Sequence, residues 1–253
     1  MERIGCVVVT FNKVNLLQEC ISSLLNQTVE IDKIIIVDNA STDKTEKYLE
    51  KVTETNTNII NCRLEKNLGG AGGFNYQYDL DYIWIMDDDT IPNIDALSKL
   101  LNVATKENFN WGFLSSNVKW LDNTPCVMNI PITDKIWSEY LEHGLVKVVS
   151  STFVSLLIKK EIISEVGFPI SDFFIWGDDT EFTRRISSKY PGYLVIDSIV
   201  THKMLKNIDV DIFNDSSDRL IRYFYRYRNK VYMSKKYGLK EFINFFLHTC
   251  NKI

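Results

Sequence analysis

No two of the five cysteines (Cys6, Cys20, Cys62, Cys126 and Cys250) are spaced as CxxC. Their odd number and scatter exclude a disulfide framework and a cysteine-built zinc site, as expected of a reduced, cytoplasmic protein. No window approaches 18 uncharged apolar residues, and Asn12 and Lys13 interrupt the apolar opening Ile4–Thr10 too early for a signal sequence. With only 5 Pro and 11 Gly in 253 residues, 45% of them hydrophobic, collagen-like, fibrous and disordered chains are excluded too. GxSxG, GxxxxGK[ST] and GxGxxG with its distant acid are all missing, which disfavours a covalent serine mechanism, a P-loop and a dinucleotide fold.

Charge is nearly balanced overall, with 29 Lys and Arg against 33 Asp and Glu, but it is unevenly placed. From Arg219 to Ile253 nine bases face the single acid Glu241, so a tail of net +8 follows a body of −12. Such a body gathers cations, while the tail suits an anionic partner. Nucleic acid is not expected, because no reader motif accompanies the tail. The tail's Tyr, Phe, Arg and Lys pattern fits either an amphipathic helix pair at an anionic membrane surface or a helix packed on the domain or on a second copy in a homodimer. The chain stops at Ile253 within an apolar stretch, as a piece shorter than its relatives would.

Short apolar runs alternate with helix patterns. Ile4–Thr10, Lys33–Asn39, Asn58–Asn67 and Tyr82–Asp89 read as strands, and the spacing of Leu16, Leu17, Cys20, Ile21, Leu24 and Leu25 predicts a helix over 14–26. A second helix follows Ser41, its candidate N-cap, and another spans about 93–106. Beyond it, NWGFLSSNVKW, STFVSLLIKK and YLVIDSIV read as strands, with a short helix beginning near Asp178. This α/β order implies a mostly parallel sheet with its ligand outside the carboxyl ends of the strands. One domain over 1–215 is expected, in two halves of about 1–105 and about 106–215, followed by a helical segment over 216–253.

Four places carry candidate chemistry. Asp87, Asp88 and Asp89 follow an apolar strand, where three acids repel one another unless a cation compensates them; hard oxygen ligands suit Mg²⁺ or Mn²⁺. In FFIWGDDTEF, Trp176 offers a face for a sugar ring and an adjacent carboxylate could serve as general base. A plain capping box, Asp178 at the N-cap with Glu181 three residues on, explains the same acids. The glycines of NLGGAGGF, including Gly69 and Gly70, let backbone approach a ligand and could offer N–H groups to a phosphate. His202, after the last strand, could complete a metal shell; His143 and His248 lack such a setting.

In this order VVVTFNK, IIIVDNASTDKT, NLGGAGGF, WIMDDDT and WGDDTEF resemble the family 2 inverting glycosyltransferases of GT-A fold, over about residues 4–203. The glycine-rich and WGDDTEF versions resemble the branch of bacterial galactofuranosyltransferases and rhamnosyltransferases of cell-surface polysaccharide synthesis. The resemblance implies a nucleotide-sugar donor, a saccharide or lipid-linked acceptor, and Mn²⁺ or Mg²⁺. It places Thr10, Phe11, Asn12, Asp38, Asn67, Gly69, Gly70, Asp87 and Asp88 at the nucleotide, and Asp87, Asp89 and His202 at the metal. Asp179 matches the base, and Trp176, Gly177 and Asp178 the acceptor side. UDP-galactofuranose is the favoured donor, with dTDP-rhamnose, or a non-catalytic nucleotide-sugar-binding subunit, as the alternatives.

Overall fold

The computed structural model describes residues 2–73, 80–209, 212, 213, 215, 217–238 and 243. Phe74 and most of the tail beyond Gly238, including His248 and Cys250, lie outside them. The N-terminal half runs β1 (Ile4–Thr10), α1 (Val14–Leu25), β2 (Lys33–Asp38), α2 (Thr45–Thr55), β3 (Ile59–Arg63), α3 (Gly69–Gly73), β4 (Tyr82–Asp87), β5 (Thr90–Pro92) and α4 (Ala96–Ala104). The other half runs β6 (Phe113–Lys119), β7 (Ile132–Thr133), β8 (Leu145–Ser150), β9 (Ser155–Lys159), α5 (Lys160–Val166), α6 (Asp178–Ser187) and β10 (Gly192–His202), and α7 (Leu220–Tyr237) follows.

All ten strands join one sheet in the order β3-β2-β1-β4-β9-β6-β10-β8-β7, with β5 paired to β10. The strands β3, β2, β1 and β4 are parallel, as their continuous apolar runs predict. Beyond β4 the direction alternates: β9 is antiparallel to both β4 and β6, while β6 and β10 run parallel. The sheet is therefore mixed, and among the described residues only its N-terminal half repeats the β-α rhythm.

Alternation sorts the strand residues onto two buried faces. Cys6, Val8, Ile34, Ile36, Trp84 and Met86 meet α1 and α4 through Leu17, Ile21, Leu24, Leu97 and Leu100. Val7, Val9, Ile35, Val37, Ile83 and Ile85 meet α5 and α6 through Ile162, Ile163, Phe182 and Ile186. At about 1.5–3 kcal/mol for each large side chain withdrawn from water, two such faces carry most of the driving force for this architecture.

Several local expectations change. Ser41 does not cap the second helix, which starts at Thr45 after Lys44; its buried hydroxyl instead accepts the Asn12 N–H at 3.0 Å. Asp178 is the first residue of α6 and Gly177, at φ 97°, precedes it without a side-chain cap. The capping box fails because Glu181 turns away to Arg185 and Lys236. The strand expected over Tyr82–Asp89 ends at Asp87, and a three-residue strand, β5, follows directly.

Candidate functional site

Register brings the acids together. Val9 lies opposite Asp87 in the β1–β4 ladder and Thr10 opposite Asp38 in the β1–β2 ladder, so the carboxyl ends of three strands share one rim. β5 turns back from the same corner and pairs antiparallel with β10, placing His202 opposite Thr90. The Lys203 N–H then donates to the Asp89 carbonyl at 2.8 Å. A histidine 113 residues away in sequence thereby reaches Asp89, its Nε2 lying 3.0 Å from Oδ1.

Ligand atoms of Asp87, Asp89 and His202 lie within 4.8 Å of one another. Two carboxylates and an imidazole are a donor set that fits Mg²⁺ or Mn²⁺. The ring is oriented from behind. His202 Nδ1 is 2.7 Å from Asn129 Oδ1, while the Asn129 amide nitrogen donates to Thr152 Oγ1 at 3.1 Å. With Oδ1 an acceptor only, Nδ1 carries a proton, and Nε2 is the atom aimed at Asp89. Cys126 also donates its thiol to Asn129 Oδ1, at 2.9 Å.

Lys13 is the cation already in place. Its ammonium donates to Asp89 Oδ2 at 2.6 Å and lies 3.4 Å from Asp88 Oδ1. Asp88, only 5% exposed, accepts from Thr10 Oγ1 at 2.8 Å and from the Phe11 N–H at 3.3 Å. Burial, reinforced by the Asp89 charge, pushes Asp87 up to about 7. Burial also pushes Asp88 to about 6, with Lys13 opposing. Burial works against the charged forms of Asp89 and His202 as well, yet their mutual contact overrides it. Asp89 is held well below the usual carboxylate range and His202 is raised to about 10.

The second acidic stretch faces the first. The buried Asp178 carboxyl lies well above its ordinary range because of burial, then the Asp179 charge, with Asp87 adding to it. Asp179 is half-buried; its Oδ1 accepts from the Thr180 N–H at 2.6 Å and from Thr180 Oγ1 at 3.2 Å. Burial raises it as well. Trp176 stands just before, with the Tyr223 ring edge-on at 5.1 Å and the guanidinium groups of Arg219 and Arg226 at 5.6 and 5.9 Å from its centre.

Other expected residues have partners within the protein. Asp38 is fully buried, accepting from Arg63 NH1 at 2.6 Å and the Ser41 N–H at 2.8 Å. Asn12, at φ 54°, ties β1 to the loop after β2, its Oδ1 accepting the Thr42 N–H at 2.7 Å. Phe11 is 43% exposed at this rim. In the glycine loop the Leu68 N–H donates to Asn39 Oδ1 and the Gly69 N–H to Asn67 Oδ1, so those two amides are satisfied internally. Gly70 follows in α3. Gly69 is there for close approach. At φ +72°, a Cβ on it would lie 1.9 Å from the Phe174 carbonyl oxygen. The donor-side loop and the Trp176 loop therefore touch backbone to backbone.

Sequence reasoning missed Lys13, Asn129, Asn39 and Arg63. Lys13 stands inside VVVTFNK, and its spacing from the first strand was the available signal; Asn129 closes a three-residue 3₁₀ helix, Val127–Asn129, too short to leave a period in the sequence.

Residues 6–126 match the family model Glycosyl transferase family 2. The chain is similar to galactofuranosyltransferase GlfT1 of Mycolicibacterium smegmatis, 26% identical over 269 residues that cover 96% of this chain and 86% of that one. Among solved structures it is similar to Staphylococcus aureus TarS 1-349, with a TM-score of 0.63 at 17% identity, covering 79% of this chain and 60% of that one. It is also similar to the mannosyltransferase PcManGT of Pyrobaculum calidifontis in complex with GDP-Man and Mn²⁺, with a TM-score of 0.60 at 18% identity, covering 81% and 58%. The chain thus spans less than two thirds of these two solved chains, and the likeness to them establishes the fold, a GT-A fold.

Proposed function

We propose, from the premise that this chain is a glycosyltransferase of GT-A fold with a family 2 domain over residues 6–126, that it moves a sugar with inversion from a nucleotide diphosphate donor to a hydroxyl acceptor in polysaccharide synthesis. One observation carries the reading. Asp87 and Asp89 from the first half and His202 from the second meet at one sheet rim, and the glycine loop of the first half touches, at Gly69, the Phe174 backbone that leads into Asp178 and Asp179.

In this reading Asp87, Asp89 and His202 hold Mn²⁺ or Mg²⁺, which when bound supplies positive charge for the departing diphosphate. Lys13 adds a second positive charge at the same rim. Thr10, Phe11, Asn12 and the Asn67–Gly70 loop form the wall for the nucleotide, and Asp38 keeps that wall rigid through Arg63 and Ser41. Asp179 takes the proton from the acceptor hydroxyl as its oxygen attacks the anomeric carbon. Of the two acids Asp179 fits this role better, because it is half-exposed and within reach of an acceptor hydroxyl, while Asp178 is buried. Trp176, Gly177 and Asp178 border the acceptor. UDP-galactofuranose is the favoured donor on the likeness to GlfT1, which covers nearly the whole chain.

No helix among the described residues is long and apolar enough to cross a membrane. Contact with a lipid-linked acceptor falls to the outer face of α7, where Leu220, Ile221 and Phe224 are exposed, with Lys235 exposed further along the helix.

The test compares wild type with Asp179→Asn. Stabilisation by UDP with Mn²⁺, read by thermal shift against dTDP and GDP, should survive the substitution, while sugar transfer should fall by about 10²–10⁴-fold. Unchanged turnover removes Asp179 from the base role. A preference for dTDP would redirect the donor to dTDP-rhamnose.

A further inference from the structure

The loop leading into α6 is the most contorted stretch of the described backbone. Phe174 adopts φ 63° and ψ −61°, Trp176 φ 60° and Gly177 φ 97°. The Ile175 N–H donates to the Phe173 carbonyl at 2.7 Å, closing a γ-turn around Phe174 of the rare positive-φ kind. Two non-glycine residues at positive φ within three positions persist only where their surroundings over-determine them.

The surroundings are supplied by α7. Asn229, 1% exposed, directs its amide nitrogen at three successive bends of this loop, donating to the carbonyls of Phe173 at 2.9 Å, Ile175 at 3.2 Å and Trp176 at 2.9 Å. Its orientation is fixed from the other side, since Oδ1 accepts from Arg228 Nε and NH2 at 3.1 and 2.9 Å. Arg228 itself donates to the Asp172 carbonyl. The loop's rings are gripped as well: Phe174 stacks on Tyr225 at 4.7 Å, and Phe173 meets Tyr232 edge-on at 5.3 Å. On the far side Gly69 closes against the Phe174 carbonyl. One turn further along, Lys236 donates to Glu181 at 2.7 Å and Arg184 lies 3.9 Å from the centre of the Tyr237 ring, tying α7 to α6 itself.

We propose that Asn229 is a positioning residue, and that α7 acts as a clamp which imposes the strained conformation of residues 172–177 and so sets where Trp176 and Asp179 stand at the rim. The catalytic consequence rests on the reading of Asp179 given above; the clamp itself does not. A buried amide whose two N–H bonds are spread over the carbonyls of Phe173, Ile175 and Trp176 has no partner to give up without releasing the turn. The segment that sequence sets apart as an appendage thereby becomes part of the acceptor half.

The test uses the full chain with Asn229→Ala, and Arg228→Leu as a second variant whose exposed side chain can be removed without opening the core. Hydrogen exchange read by mass spectrometry should rise at least tenfold in the peptide covering 171–177, with β1, β2 and β4 unchanged. Affinity for UDP with Mn²⁺ should stay within twofold. UDP release from UDP-galactofuranose with an alkyl glycoside as acceptor should lose at least tenfold in kcat with the donor KM unchanged. Unaltered exchange in 171–177 in both variants overturns the clamp, and faster exchange with unaltered kcat overturns its catalytic consequence. Should wild type neither bind UDP nor release it, the donor assignment fails, while the exchange comparison still decides for or against the clamp.

Discussion

Glu181 links α6 to α7, and replacing it with Gln isolates what that link contributes. Its carboxylate is fully buried, held by Arg185 through Nε at 3.1 Å and NH2 at 2.8 Å and by Lys236 at 2.7 Å. Removing one partner of a buried ion pair costs about 3–5 kcal/mol when the remaining charge stays dry. Here both cations reach water, Arg185 at 19% and Lys236 at 37% side-chain exposure. That access brings the expected loss down to about 2 kcal/mol. In a domain of this size such a loss lowers Tm by about 4–8 °C. The loss should depend on pH in one direction. Burial alone would raise the Glu181 carboxyl, but Arg185 and Lys236 hold it below its ordinary value. A folded-state pKa below the unfolded value of about 4.3 means that the contribution is complete above that pH and fades as pH falls through the folded value. Calorimetry of wild type and Glu181→Gln should therefore show a constant Tm gap from about pH 5.5 to 8 that narrows below about pH 4. A gap that persists undiminished at the acid end, or none at neutral pH, would refute the assignment of the stabilisation to this charged triad.

Two further predictions concern the rim. Asn129→Leu leaves His202 without the acceptor that fixes its ring, so Mn²⁺ affinity by isothermal titration should fall by about tenfold to a hundredfold; unchanged affinity would detach Asn129 from the site. Gly69→Ala places a methyl group on the Phe174 carbonyl in a backbone region that L-residues avoid. Urea denaturation should show a loss of about 2 kcal/mol or more, and an unmoved midpoint would mean that the two loops do not bear on one another.

Sequence by itself determined the fold of the N-terminal half. Apolar runs of four to six residues ending just before Thr10, Asp38 and Asp87 are local signals, because a parallel strand buried on both faces must be apolar throughout and can turn polar only at its end. The two acidic stretches and His202 were legible for the same reason, each standing at the end of an element whose periodicity is plain. Tertiary structure decided what these residues do with one another. His202 reaches Asp89 because β5 folds back onto β10, and a three-residue strand leaves no period to detect. Asn129, at the end of a single 3₁₀ turn, orients that histidine across 73 residues, and Lys13 becomes the partner of Asp89 across 76. The tail posed the sharpest ambiguity, since an aromatic and basic amphipathic pattern is equally satisfied by a lipid surface and by a protein surface. Only the packed structure shows Asn229 buried against the bent loop before α6, because a hydrogen bond to three carbonyls depends on where the backbone turns, and sequence spacing carries no record of that.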